Sequence, residues 1–506
     1  MTSSRALSRR HFLRDMGLAL GVGVAKIGGL GSLGGCAEPL AEGTGADWNA
    51  LARLLPGRVL RPGGVDFDDI ATPWNLRWSD RPRPEGIVRA ASAEDVRTAI
   101  LWARDNGVPL VARSGGHSYA GYSTTDGLII DVSTMTEIRY DPASERAFVN
   151  AGARNTHVYA ALGEVDRTVT HGRCLGVGVA GLVLGGGVGF NMRRIGLTCD
   201  QLVETDIVTA DGEILKCNAS ENADLFWAAR GAGGGNFGIH TSFTFQTHAA
   251  PRLTVFNLVW RTRQEAVLRA LLDVLHAAPN ELGVKVSVTA KPVASAHAPE
   301  IAVNLLGQYA GTKAAFEELL TSVYQVARPD LRPGTEFIEE ADYWPGQEKL
   351  SEPGHREFAY ERSRYVMKPL SDTAIGVIFA HLRAWPETSV GAMWKGFLTG
   401  GAIRDVAPNA TAFVHRRDWL LSGTEVNWTA SDAPEQVKRS MTWMDGFHAA
   451  MRPYTSDECY QNFIDDGETD WRRAYYGENL ERLVQIKRKH DPRNVFHYAQ
   501  SVPLTI

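Results

Sequence analysis

Arg113-Ser114-Gly115-Gly116-His117-Ser118 is the stretch on which the reading of this chain turns. Glycines at 115 and 116 allow positive φ, so successive backbone N–H groups can turn inward as an anion nest. The text before it reads strand, helix, strand. Ile87 opens the first strand, Ser92 with Asp95 three residues on gives a capping signal, and Val96, Ala99, Ile100 and Ala103 keep one apolar face. Gly107 stops that helix, and Val108–Val111 is a second strand that runs directly into the glycine loop. A phosphate site belongs there. Downstream lie Gly172-Arg173-Cys174, then Val177-Gly178-Val179-Ala180-Gly181 and Gly185-Gly186-Gly187. The imidazole of His117 and the thiolate of Cys174 are both suited to bonding an electrophilic ring.

The remaining signals set limits. Gly185–Gly189 is not a Rossmann fingerprint, because the strand before it and the ribose-binding acid after it are missing. With 506 residues the chain exceeds one ordinary core, which predicts two domains. Its 44% hydrophobic and 22% charged content is that of a soluble globular protein. A net charge of -5 with no basic block past the N-terminus speaks against a nucleic-acid partner, and no His/Cys/carboxylate spacing marks a metal site. Ser8-Arg9-Arg10-His11-Phe12-Leu13-Arg14 followed by a weakly apolar stretch from Gly17 to Gly35 reads as a twin-arginine signal, so residues 1–37 are expected to direct export of a folded protein to the periplasm or beyond. Leu33-Gly34-Gly35-Cys36 leaves two endings open: a lipid anchor on Cys36, or cleavage that releases a soluble protein.

Leu128–Val132 reads as a strand and Ile207–Leu215 as a hairpin around Asp211-Gly212. After Ala249-Ala250-Pro251 a strand (253–260), a helix (264–276), strands at 283–290 and 301–308 and a helix (312–326) predict an antiparallel sheet with helices on one side. The fold class is therefore α+β.

The motif order then carries a resemblance. Gly196-Leu-Thr-Cys-Asp200, Asp224 to Gly231 leading into Gly235-Asn236-Phe237-Gly238-Ile239, Ala410 to Phe413 with His415-Arg416, and Asp491 to Phe496 with Gln500-Ser501 resemble the berberine-bridge-enzyme-like flavoproteins. The likeness runs from about Asp80 to the C-terminus. It implies a two-lobed PCMH-type FAD-binding domain (50–248), a substrate domain (249–450) and a C-terminal segment (451–506) that returns to the flavin domain. It also implies FAD held through two covalent bonds, from His117 to the 8α carbon and from Cys174 to C6. The residues expected at the cofactor are Arg113, Ser114, Gly115, Gly116, His117, Ser118, Cys174, Val177, Gly178, Gly181, Gly235, Asn236, Gly238, Ile239, Asn494 and Phe496. Cys199, Cys217 and Cys459 are left as buried thiols.

In many members an Asn-Tyr pair precedes x-Asp, and that tyrosine is often the catalytic base. Here the stretch is Asn462-Phe463-Ile464-Asp465, and Phe463 cannot take a proton. If 458–464 is a strand, Tyr460 faces away from Phe463 and cannot replace it. Tyr360, Tyr365, His415 and Glu361 are the candidates from other strands, and Trp419, Trp428 and Tyr343 are possible aromatic walls. The resemblance implies an exported oxidase that takes hydride from an alcohol, saccharide or related small molecule and passes electrons to O2. Val177, three residues after Cys174, corresponds to the family's oxygen gate. A dehydrogenase with a quinone or protein acceptor, and a flavin-bearing binding protein without a base, stand as alternatives.

Overall fold

The computed structural model describes residues 45–80, 83–294 and 298–506. The expected twin-arginine signal and lipid anchor at Cys36 fall outside the described residues. Two lobes follow from two kinds of sheet.

The first lobe begins with the strand–helix–strand unit read from the sequence. Ser92 Oγ accepts from Asp95 N at 3.1 Å and caps the helix Ala93–Asp105, whose Val96, Ala99, Ile100 and Ala103 are buried. Gly107, at φ +64°, ends the turn after it. Gly86–Arg89, Leu128–Asp131 and Leu110–Arg113 form the parallel part of a four-stranded sheet, with Val59–Leu60 antiparallel at its edge. A five-stranded antiparallel sheet follows, in the order Ile138–Asp141, Arg146–Asn150, Ile239–Gln246, Leu202–Val208 and Ile214–Asn218. The last two strands are the expected hairpin, with Gly212 at φ +77° in its turn.

The second lobe is one seven-stranded antiparallel sheet. Its order is Phe337–Ala341, Leu253–Trp260, Glu300–Tyr309, Leu282–Lys291, Gly391–Leu398, Leu420–Trp428 and Phe358–Val366. One face packs on the helices Gln264–His276, Asp372–Arg383 and Pro434–Met451, forming a core with Val284, Val286, Val288, Trp394 and Val426. The sheet thus alternates apolar residues inward and leaves its other face to the cleft. The expected helix at 312–326 breaks into Lys313–Leu319 and Thr321–Val326.

The C-terminal helix Leu480–His490 returns to the first lobe, and Tyr475, Tyr476, Leu483, Val484, Phe496 and Val502 join its core. Lys487 Nζ, fully buried, donates to Asp491 Oδ2 at 2.7 Å and to Asn236 O at 2.7 Å, which fastens the tail. One expectation fails in this region. Residues 458–464 are not a strand; Gln461–Phe463 is a single 3-10 turn. Side chains three apart nearly eclipse in such a turn, so Tyr460 and Phe463 face the same way, with rings 5.1 Å apart.

Candidate functional site

A cavity of about 670 Å³ runs between the glycine loops of the first lobe and the open face of the seven-stranded sheet. Its floor is set by two loops in backbone contact. A Cβ on Gly115 would lie 2.3 Å from Gly178 N, and one on Gly178 would lie 2.4 Å from Gly115 N. Only glycine at both positions permits that approach. Gly116 takes φ +73°, and the N–H groups of Gly115, Gly116, His117 and Ser118 have no acceptor among the described residues. Arg113 is buried beneath the loop, with Nε donating to Ser123 O at 2.8 Å and Nη1 to Ile70 O. Ser114 Oγ donates to Ala151 O at 2.7 Å.

The His117 ring stacks on Trp74 at 4.8 Å. Burial, with Arg154 adding repulsion, pushes its pKa down to about 3, so the imidazole is neutral and keeps a nucleophilic nitrogen. Cys174 is held by Asn155 Nδ2, which donates to its carbonyl at 2.8 Å. Burial, with Glu352 next, pushes its thiol up to about 11. Both groups flank one segment: a Cβ on Gly176 would lie 3.0 Å from His117 Nε2, and a Cβ on Gly354 would lie 2.5 Å from Cys174 Sγ and 3.1 Å from Gly176 N.

The facing wall comes from the strands Leu282–Lys291, Gly391–Leu398 and Leu420–Trp428. Lys285, Met393, Lys395, Phe397, Glu425 and Asn427 reach the cavity from them. Lys395 Nζ is buried between Glu361 Oε1 at 2.9 Å and Glu425 Oε2 at 2.6 Å. Burial opposes its charge, but the two carboxylates outweigh that and hold its pKa above the usual range. Asn427 Nδ2 donates to Glu425 Oε1 at 3.2 Å. Burial pushes Glu361 up to about 7, and Tyr119, which faces Glu361, is raised well above the ordinary phenol range by burial and that carboxylate. Glu357, on the cavity rim, also rises to about 7 through burial and the charge of Glu425.

Among the residues expected at the cofactor, 113–118, Cys174, Val177, Gly178, Gly181, Gly235, Gly238, Ile239 and Phe496 line the cavity. Asn236 and Asn494 stand behind it: Asn236 Oδ1 accepts from Val502 N at 2.8 Å, and Asn494 N donates to Asp491 O at 3.0 Å. The expected base candidates do not line it either. Tyr360 points to the helix side of the sheet and donates to Asp445 Oδ1 at 3.1 Å. Tyr365 stacks on His415 at 4.5 Å, and His415 Nδ1 lies 2.7 Å from Glu458. Glu361 shares the cleft side of its strand but sits one layer back, behind Lys395. Trp419 and Trp428 belong to the second core, and Tyr343 hydrogen-bonds His171 and Asn191. Tyr460 does line the cavity, its Oη accepting from Gly187 N at 3.1 Å and Val188 N at 3.2 Å. Lys285, Lys395, Glu425 and Tyr119 were missed as site residues. The alternations Val-Lys-Val-Ser-Val (284–288) and Glu-Val-Asn (425–427) carried the signal, since each apolar residue that enters the core turns its neighbour to the cleft.

Residues 84–218 match the family described as FAD binding domain, and residues 459–503 the family described as Berberine and berberine like. An uncharacterized FAD-linked oxidoreductase of Bacillus subtilis, YgaK, is 33% identical over 460 residues, covering 89% of this chain and 97% of its own. The chain is a berberine-bridge-enzyme-like FAD-linked oxidoreductase. Xylooligosaccharide oxidase of Thermothelomyces thermophilus is 31% identical, over 88% of this chain and 92% of its own. The structure of glucooligosaccharide oxidase from Acremonium strictum, with its 6-S-cysteinyl, 8α-N1-histidyl FAD, superimposes with a TM-score of 0.78 at 29% identity, over 90% of this chain and 98% of that one.

Membership in this berberine-bridge-enzyme-like family makes FAD the cofactor and small organic molecules the substrates. The cavity suits FAD on its own chemistry as well. It has unengaged N–H groups along residues 115–118, glycine contacts that leave no room for a Cβ, and a neutral imidazole and a thiol at one end.

Proposed function

We propose that this protein is an oxidase of hydroxyl-bearing small molecules, saccharides or alcohols, with FAD bonded through His117 and Cys174. The observation that carries the reading is the placement of His117 beside Gly176 and of Cys174 beside Gly354, which itself abuts Gly176, opposite a wall of polar and charged groups. The covalently tethered relative and the oligosaccharide oxidase support it. FAD held there by His117 and Cys174 would supply a hydride acceptor for the substrate carbon and a two-electron route to O2, giving H2O2.

The chain's own task is to remove the hydroxyl proton as the carbon gives up hydride. We assign that role to Tyr119. Its ring lies edge-on to Phe463 at 5.7 Å, and its hydroxyl faces Glu361. Tyr119 takes the substrate proton while releasing its own to Glu361, whose pKa of about 7 suits a proton acceptor near neutrality. Lys395 keeps Glu361 and Glu425 from repelling each other. Phe463, with Lys395 Nζ 5.2 Å from its ring centre, serves as apolar wall and needs no ionisable group.

The test is anaerobic mixing with sugars, aryl alcohols, phenols and cyclic amines, followed by admission of air. Flavin bleaching by a hydroxyl compound, then one H2O2 per turnover, is expected. Bleaching without peroxide would replace the oxidase with a dehydrogenase. No bleaching by any compound would leave a flavin-bearing binding protein.

A further inference from the structure

Lys285 belongs to none of the functions assigned above. It lies on the strand Leu282–Lys291, where Val284 and Val286 enter the core and force Lys285 to the cleft face. Its side chain lines the cavity, and its Nζ has no hydrogen-bond or ion-pair partner among the described residues.

The charges around it are already matched. Glu352 is taken by Arg173 at 2.5 Å, and Glu425 by Lys395 at 2.6 Å. Arg173 and Lys395 act on Lys285 more strongly than the two carboxylates do, so its surroundings are net repulsive to a cation. Burial, with those two cations next, pushes the ammonium down to about 7. A half-buried ammonium without a counterion is costly to keep, and an anion brought into the cleft relieves that cost.

We propose that Lys285 is the receptor for a carboxylate on the substrate, which makes the preferred substrate a hydroxyl-bearing carboxylic acid such as a sugar acid or a hydroxy acid. The inference rests on the oxidase reading of the same cleft and narrows its substrate class. One negative charge is the right number. Of the two lysines among the described residues that line the cavity, Lys285 alone is unpartnered, and Glu357 on the same walls disfavours a second negative charge. Phe397, across the sheet register from Lys285, and Met393 give an organic body an apolar surface beside that charge.

The test uses binding and needs no turnover. The flavin-loaded protein is titrated with benzoate against benzamide and with D-glucuronate against D-glucose, following the flavin absorbance. At least one acid is expected to bind about tenfold or more tightly than its neutral counterpart. Lys285→Met should bring that ratio to near one, Lys285→Arg should retain most of it, and Lys291→Met, at the exposed end of the same strand, should leave it intact. Unperturbed flavin spectra in all three variants establish that the cleft is folded. An absent preference for either acid, or a preference that survives Lys285→Met, overturns the proposal. Inorganic phosphate displacing the acid at equal or lower concentration overturns the carboxylate assignment. Failure of every hydroxyl compound to bleach the flavin would count against the oxidase reading, while these titrations would still decide the role of Lys285.

Discussion

Removing Lys395 should destabilise the protein in a way that grows with pH. Lys395 Nζ lies between Glu361 and Glu425, and all three side chains are at most 8% exposed. Lys395→Met keeps the apolar stem and deletes the charge, stranding two buried carboxylates. Breaking a buried pair by removing one partner costs about 3–5 kcal/mol. The cost depends on whether the carboxylates can protonate. In the native protein Glu361 already titrates near 7, above its ordinary value, so the stability it contributes is present below the unfolded pKa and is lost as pH rises towards about 7. Above that point its contribution is level. In Lys395→Met both folded carboxylates rise further, the folded state binds more protons than the unfolded one above pH 7, and stability keeps falling there. Each such carboxylate removes up to about 1.4 kcal/mol per pH unit. Urea unfolding of both proteins at pH 6.5 and pH 9 measures this. The deficit of the variant is expected to be larger at pH 9 by about 1–3 kcal/mol. A deficit equal at the two pH values, or below about 1 kcal/mol at both, would refute the buried three-charge reasoning.

Two further substitutions test the floor of the cleft. Val177 lines the cavity, and its backbone is pinned at both ends, N to Cys174 O at 3.2 Å and O to Asn155 N at 3.0 Å, so Val177→Leu must place its added methylene into the cavity. Stopped-flow of the two half-reactions should show slower reoxidation by O2 with substrate reduction nearly unchanged; equal reoxidation rates would remove Val177 as the gate. Gly115→Ala puts a methyl 2.3 Å from Gly178 N, a backbone atom that cannot swing aside, so the two loops must part. The flavin-to-protein absorbance ratio of the purified variant should fall severalfold while its far-ultraviolet dichroism stays native, and full loading would show that the contact is dispensable.

The flavin loop was legible because its chemistry is local: the Ser92 cap, the apolar stripe of one helix and the glycines at 115 and 116 all lie within a short run of chain. The return of the C-terminal tail was legible only through motif order. The opposing wall was not, because it is assembled from strands far apart in sequence, and no local pattern tells Glu361 that Lys395 and Glu425 stand beside it. Tyr360 and Tyr365 were chosen by residue type, yet strand alternation turns the first to the helices and the second sits against His415. Tyr460 was set aside on an assumed strand that is a 3-10 turn, whose different period brings it to the same side as Phe463.

The most direct test of the account is the covalent state of the flavin. The purified protein is precipitated with trichloroacetic acid, and the pellet is digested for peptide mass spectrometry. A yellow pellet is expected, with one flavin joining the peptide that contains His117 to the peptide that contains Cys174, and with a single bond through His117 retained in Cys174→Ala. All colour in the supernatant, with both peptides at their unmodified masses, would contradict the central claim.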